Sequence, residues 1–277
     1  FCNTICQYFF ICLKSMKKRS FLFALFFIAL TSFGQEISSE KNTVFKNGEW
    51  LRYKMSYSGW MRAGTAILKL EEKELNGKTV LHATGTGWTS GMIKLFFKVD
   101  DTYESYFDKE ITKPYFFKRK IDEGGYKKNR NTTFNYKTKK AFVQDFIKKK
   151  DTSITFSEVQ DMLSSFYYLR NQNVDTLKKG EEISIDMFLD SQIYPFKLRF
   201  LGKEILETKI GAVKTLKFRP LVQAGRIFKA QESVTIWITA DKNKIPIKMK
   251  ANLSVGSLRA DLEAYKGLAN SFEKIYN

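Results

Sequence analysis

Between Val234 and Ala264 apolar and polar residues alternate with a period of two, and no other feature of the chain constrains its fold as tightly. Successive side chains of a strand point to opposite faces, so this period predicts half-buried strands. Val234, Ile236 and Ile238 alternate with Ser233, Thr235 and Thr239, and Asp241, Lys242, Asn243 and Lys244 then supply a turn. The return strand places Ile245, Ile247, Met249, Ala251, Leu253 and Val255 on one face. After Gly256, Leu258, Ala260, Leu262 and Ala264 repeat the alternation in a third strand. Short connections require antiparallel neighbours, so the expectation is a meander with one wet and one dry face.

The same alternation occurs earlier, where Ala66, Leu68 and Leu70 oppose Lys69 and Glu71. Asn76-Gly77 is a hairpin signal leading into a strand over Lys78–Trp88. Pro114, Pro195, Pro220 and Pro246 fall near expected strand starts or edges, where a missing N–H is tolerated. One segment breaks the period: Ser157-Glu158-Val159-Gln160 reads as a capping box. Val159, Met162, Leu163, Phe166 and Leu169 or Arg170 then recur at helical spacing, which predicts an amphipathic helix over 157–171. A single helix among about a dozen strands excludes an alternating α/β fold. The expected fold is mainly β, with antiparallel sheets forming an incomplete barrel or a two-lobed sandwich and the helix packed on the concave side. Trp60, Trp88 and Trp237 are expected to fill the core or line a cavity.

Met16-Lys17-Lys18-Arg19, the apolar run Phe21 to Leu30, and the small residues Ser32 and Gly34 predict a secretory signal peptide over 16–34, cleaved after Gly34. The apolar run is shorter than the ~20 residues needed to span a bilayer. Residues 1–15 read as translated upstream sequence and 35–45 as a polar, disordered start. Residues 46–277 read as one β-rich domain, with lobes 46–150 and 180–277 joined by the helix. Cys2, Cys6 and Cys12 all precede the cleavage position, so the exported product is expected to lack disulfides, thiolate chemistry and cysteine metal sites. With no cysteine after Gly34 to carry a lipid, a periplasmic protein without an anchor is expected.

Motifs for chemistry are mainly missing. His82 is the only histidine, which leaves no His–Cys pair and no multi-histidine zinc site. Gly87-Trp88-Thr89-Ser90-Gly91 has the wrong spacing for a nucleophile elbow, and no Walker or Rossmann fingerprint occurs. Gly85, Gly87 and Gly91 fit strand bending and turns. Among carboxylates, Asp100-Asp101 and Asp186 with Asp190 stand out, although strand neighbours point to opposite faces. A glycosidase needs two carboxyls ~5–9.5 Å apart across its substrate, so a carboxylate hydrolase is the minor alternative. No metal or cofactor is expected.

Charge is distributed unevenly. The formal net charge is +18, and Lys113 to Lys150 holds thirteen Lys or Arg against Asp122, Glu123 and Asp145. Tyr115, Phe116, Phe117 and Tyr126 are interleaved with these cations. A regular strand over 126–136 would put Tyr126, Lys128, Arg130, Phe134 and Tyr136 on one face, suited to an anionic amphiphile. Trp88, Arg119, Tyr126, Lys128 and Arg130 are therefore the candidate ligand contacts. Export makes nucleic acid a poor partner, which leaves an anionic lipid, an anionic glycan or an acidic envelope protein. Lysines on exposed strands also serve simply to block edge-to-edge aggregation.

The chain resembles the exported bacterial family of domain of unknown function 3108. The resemblance is carried by Gly59 to Leu70, by Val99 to Asp108, by Arg119 with Glu123-Gly124-Gly125-Tyr126, by Asp161 to Arg170, and by Val255-Gly256-Ser257-Leu258. It implies an exported β-rich domain and brings no established activity or catalytic residue. Within these motifs Gly124-Gly125 is expected to form a turn at positive φ, around which Arg119 and Glu123 are close enough to pair. Asp161, Tyr167, Tyr168 and Arg170 would anchor the helix in a polar network. The functional expectation is a non-enzymatic envelope protein that binds or carries an amphiphilic or anionic component. The alternative is a structural or assembly factor offering its basic face to a protein partner.

Overall fold

The computed structural model describes residues 44–221, 234–253 and 255–276. The expected leader over 1–34, the segment 35–43 and Ser233 lie outside the described residues. The first half of the chain comprises β1 (Trp50–Tyr57), β2 (Met61–Leu75), β3 (Lys78–Thr89), a short α1 (Ile93–Phe96), β4 (Asp100–Phe107), β5 (Pro114–Glu123), β6 (Tyr126–Asn135), β7 (Lys140–Asp145) and β8 (Lys150–Thr155). Helix α2 (Met162–Arg170) follows. Strands β9 (Glu182–Leu189), β10 (Gln192–Thr208), β11 (Gly211–Leu221), β12 (Val234–Thr239), β13 (Pro246–Asn252) and β14 (Ser257–Lys266) complete the fold.

All strands join one antiparallel sheet in the order β8-β7-β6-β5-β4-β3-β2-β1-β14-β13-β12-β11-β10-β9. The first and last strands are neighbours at its centre, and its two halves meet through the β1–β14 ladder. The ladder leaves β8 and β9 as edges, so of the two expected architectures the chain adopts the incomplete barrel. Asn76 and Gly77 have φ of 53° and 75° and close the Leu75–Lys78 pair, the left-handed geometry that a two-residue hairpin loop requires.

The expectation of one wet and one dry face fails in the second half. β11 buries Val213 and Thr215 and also Leu216 and Phe218, positions that alternate between faces. Val174, beyond the helix, joins Phe200, Leu216 and Phe218 in one cluster, while Val213 and Trp237 belong to another with Leu51, Tyr53 and Leu262. Register shifts at Phe200/Gly202 and Trp237/Ile238 interrupt the period locally. Of the three tryptophans expected inside, Trp237 is buried, whereas Trp60 is 75% and Trp88 39% exposed near strand ends. Val44 and Phe45, read as part of the polar start, are buried in the main core.

Helix α2 begins later than the sequence reading placed it. Asp161, not Ser157, is its N-cap: its Oδ1 accepts from the Leu163 and Ser164 amides at 2.8 and 2.9 Å. The Ser164 hydroxyl accepts from the Asp161 amide at 2.9 Å, which completes a reciprocal capping box. Upstream helix is excluded because the backbone of Gln160 is engaged by β9. Gln160 N donates to Asp186 O at 2.9 Å and Phe188 N donates to Gln160 O at 2.8 Å. One residue thus satisfies part of an edge that would otherwise present bare ladder groups. The other edge, β8, is short and carries exposed Lys150 and Asp151.

The helix fills the concave side. The Ser105 hydroxyl donates to Asp161 Oδ2 at 2.6 Å, and a Cβ on Gly85 would lie 3.2 Å from the Leu163 side chain, so β3 accepts the helix closely where glycine stands. Tyr167 is fully buried against the rings of Phe45 and Phe107, at centroid distances of 4.9 and 5.3 Å. At the C-terminal end, Arg170 makes a two-pronged bond to Glu49 at 2.6 and 2.8 Å and donates through Nε to the Asn243 carbonyl at 3.0 Å. Both ion-pair side chains are at most 3% exposed.

Removing one partner of such a pair strands a buried charge. Glu49→Ala should therefore cost about 3–5 kcal/mol in urea unfolding. Glu49→Leu combined with Arg170→Met should recover more than half of that loss. Additive costs in the double variant would contradict the account.

Candidate functional site

Strands β5 and β6 pair with Arg119 opposite Arg130 and Ile121 opposite Lys128. Alternation then turns Phe117, Arg119 and Ile121 to the interior on β5, and Lys128, Thr132 and Phe134 on β6. The face expected on β6 therefore forms as a regular strand predicts, but its basic residues point inward. Their common partner is Asp190, carried by the β9–β10 turn at the far edge of the sheet. Asp190 Oδ1 accepts from Arg119 Nη1 at 2.5 Å, Lys128 Nζ at 2.6 Å and Arg130 Nη1 at 3.2 Å. Arg130 Nε also donates to Asp145 Oδ2 at 2.7 Å. Asp145 Oδ1 accepts from the Ile147 and Lys148 amides, which fixes the β7–β8 turn.

Three cations and two carboxylates meet in a largely buried cluster. Arg119 is 3% and Lys128 7% exposed at the side chain, against 23% for Asp190. Burial pushes the Asp190 carboxyl up, but the cations led by Arg119 outweigh it and hold the group below the usual carboxylate range. Burial draws the Lys128 ammonium down to about 8, and Arg119 acts in the same direction. The adjoining void, lined by Phe117, Val143, Phe188 and Leu189 among others, measures ≈ 10 Å³, room for about one water. Asp190 and Ser191 have φ of 52° and 62°, so a turn that favours Asn-Gly is made from two residues strained there.

Tyr126 lies at the start of β6, 42% exposed, with the Lys128 ammonium 5.7 Å from its ring centroid. Trp88 stands at the end of β3 in register with Thr65 and Asp100. The structure thus gathers Arg119, Lys128 and Arg130, sets Tyr126 at their margin and leaves Trp88 on another part of the sheet. Sequence reasoning missed Asp190 as their partner, weighing it only with Asp186, which faces solvent on β9. His82 bonds Glu104 at 3.2 Å and stacks on Tyr106, a structural setting in which burial lowers its pKa. A wider cleft, ≈ 370 Å³, is lined by charges of both signs, among them Lys54, Glu207, Asp261 and Glu263. No cluster of metal-ligating residues occurs among the described residues.

A second polar pair lies under the β3–β4 loop. Gly124 and Gly125 adopt the positive φ expected of them. Glu123, expected to face Arg119, shares a hydrogen bond with Asp101. Burial, and then this bond, push the Asp101 carboxyl up to about 7. Two hydrogen-bonded buried acids leave no space for a substrate between them, unlike the carboxylates of a glycosidase. Because the folded pKa is raised from 3.8, the stabilisation linked to Asp101 is complete below the ordinary range and is lost as pH rises through about 7. Between about pH 5 and 8 the protein should lose on the order of 2 kcal/mol from this group, and Asp101→Asn should remove most of that slope in urea unfolding. An unchanged slope would assign it elsewhere.

The sequence matches the family model described as protein of unknown function, DUF3108, over residues 52–263. No curated protein sequence matches the chain. Among solved structures, a β-barrel-like protein of domain of unknown function DUF1849 from Brucella abortus aligns with a TM-score of 0.55 at 11% identity, over 80% of this chain and 98% of its own. That likeness is one of fold. More distant are a candidate exported protein of YmcC-like fold from Bacteroides fragilis (TM-score 0.33, 7% identity, 80% and 97% covered) and a candidate lipoprotein from Parabacteroides distasonis (0.35, 11%, 82% and 100%). The matched region runs from within β1 to within β14, so every strand falls wholly or partly inside it, and the chain belongs to the DUF3108 family of proteins of unknown function.

Proposed function

We propose that the chain is an exported, non-enzymatic envelope protein that binds an anionic amphiphile at the Arg119–Lys128–Arg130 cluster. The observation that carries this reading is the convergence of three largely buried cations on one carboxylate, Asp190, borne by a strained hairpin turn. A phosphate or carboxylate head group offers the same acceptors as Asp190 and is suited to replace it. Phe117, Val143, Phe188 and Leu189 stand beside the cluster and would receive the adjoining apolar chain. The ≈ 10 Å³ void is too small for a tail, so binding requires the β9–β10 turn to move. The leader read over 16–34 supports export.

Gentle purification from the native envelope followed by native mass spectrometry tests this reading. A stoichiometric amphiphile bearing phosphate or carboxylate is expected. Asp190→Asn should bind the same head group more tightly by about tenfold, since one competing negative charge is gone. A bare protein mass, together with an Asp190→Asn variant that is only less stable, would reduce the cluster to a structural latch and overturn the proposal.

A further inference from the structure

Because every neighbouring strand pair is antiparallel, the connections alternate between two ends of the sheet. The β1–β2, β3–β4, β5–β6, β7–β8, β9–β10 and β13–β14 connections share one end. Exposed large apolar side chains concentrate there. Of the fourteen among the described residues, all but Ile111, Phe142, Ile205 and Tyr276 lie in or beside these connections. Trp60 marks the first, at 75% exposure; Met92, Leu95 and Phe96 mark the second, at 69%, 82% and 82%. Tyr126 follows on β6, Phe146 and Ile147 on the β7–β8 turn, and Val255 before β14. The stretches 58–60, 90–98, 124–127, 146–150 and 255–256 also hold Lys94, Lys98, Lys127, Lys148, Lys149 and Lys150, and no acid.

The longest of these loops is braced. Gly124 N donates to the Lys98 carbonyl at 2.8 Å, and Phe97 packs over Gly124 so closely that a Cβ there would lie 2.4 Å from the ring. Met92, Leu95 and Phe96 are therefore held outward from an anchored base. Isolated exposed apolar residues need no explanation, but a set spread over five loop tips at one end marks an interaction surface.

We propose that this rim docks on an anionic phospholipid surface, with the apolar tips entering the interface and the lysines meeting lipid phosphates. Lysine is depleted in protein–protein interfaces, whereas Trp, Phe and Leu beside Lys are the signature of membrane interfaces. Anionic lipid also complements the six lysines of these stretches, which outnumber the acids at their margins, Asp100, Asp122 and Asp151. The Asp190–Ser191 turn opens at the same end, so a docked rim would present the cation cluster to the bilayer. The docking stands whether or not that cluster binds an amphiphile.

Co-sedimentation with vesicles of phosphatidylglycerol and phosphatidylethanolamine, compared with phosphatidylcholine alone, tests it on the full chain as recovered from cells. Binding to the anionic vesicles is expected to exceed that to the neutral ones by about tenfold or more and to weaken in high salt. Leu95→Asp with Phe96→Asp, at sites too exposed to affect folding, should reduce it at least about tenfold. Lys94→Glu with Lys98→Glu should abolish the preference for anionic lipid, and Ile111→Ser at the opposite end should change nothing. Equal binding to both vesicle types, no binding, or an unaltered Leu95/Phe96 variant would overturn the proposal. Asp190→Asn separates the two readings: it should alter head-group binding at the cluster and leave vesicle docking intact if the rim acts as described.

Discussion

The buried bond between Glu49 and Arg170 joins parts of the chain that no ladder connects. Glu49 lies just before β1, Arg170 ends the helix, and the Asn243 carbonyl that accepts from Arg170 belongs to the β12–β13 turn. Three regions distant in sequence are thus fixed at one point inside a sheet that does not close. Dry surroundings make the pair costly to form and more costly to break singly. Its geometry satisfies the charge, since both guanidinium nitrogens reach the carboxylate. With the helix held there, Tyr167 and Leu163 occupy the concavity that an open sheet would otherwise expose.

Side chains rather than a ladder tie the β9 edge of the incomplete barrel to strands across the interior. β9 does not pair with β8, yet its turn reaches β5 and β6 through Asp190, and its backbone is matched in part by Gln160. These two contacts differ in kind. The backbone contact is local to the segment before the helix, while the ionic one crosses the interior and depends on the charge state of its members. A site that combines strain, burial and concentrated charge is where a fold most often stores function. The same physics also describes a latch, and the two roles are compatible.

Much of the architecture was legible because it rests on local rules. Asn76-Gly77 announced a left-handed hairpin loop, Gly124-Gly125 announced positive φ, and alternation announced strands. The helix start was not legible, since Ser157 and Asp161 both open plausible capping boxes and only the demand of β9 on Gln160 decides between them. The regular face of β6 was legible, but not that it turns inward, because a lysine-rich strand reads as solvated until an acid from elsewhere is seen to meet it. Asp190 carries no local signal of that role. Likewise Trp60 looks like core by composition and proves to be a loop tip.

Placing the first strand beside the last has a consequence for the order in which this protein can form. Trp50 pairs with Lys266 and Tyr57 with Leu258, so β1 waits for its second neighbour until nearly the entire chain is present. Pairings this distant must close very long loops before they are rewarded, which slows folding relative to a chain of local contacts. A chain emerging N-terminus first completes the hairpins β2–β8 early and leaves one side of β1 open until the end. The central seam of the sheet is therefore the last ladder available to it, and a product truncated before β14 would expose its middle rather than its margin.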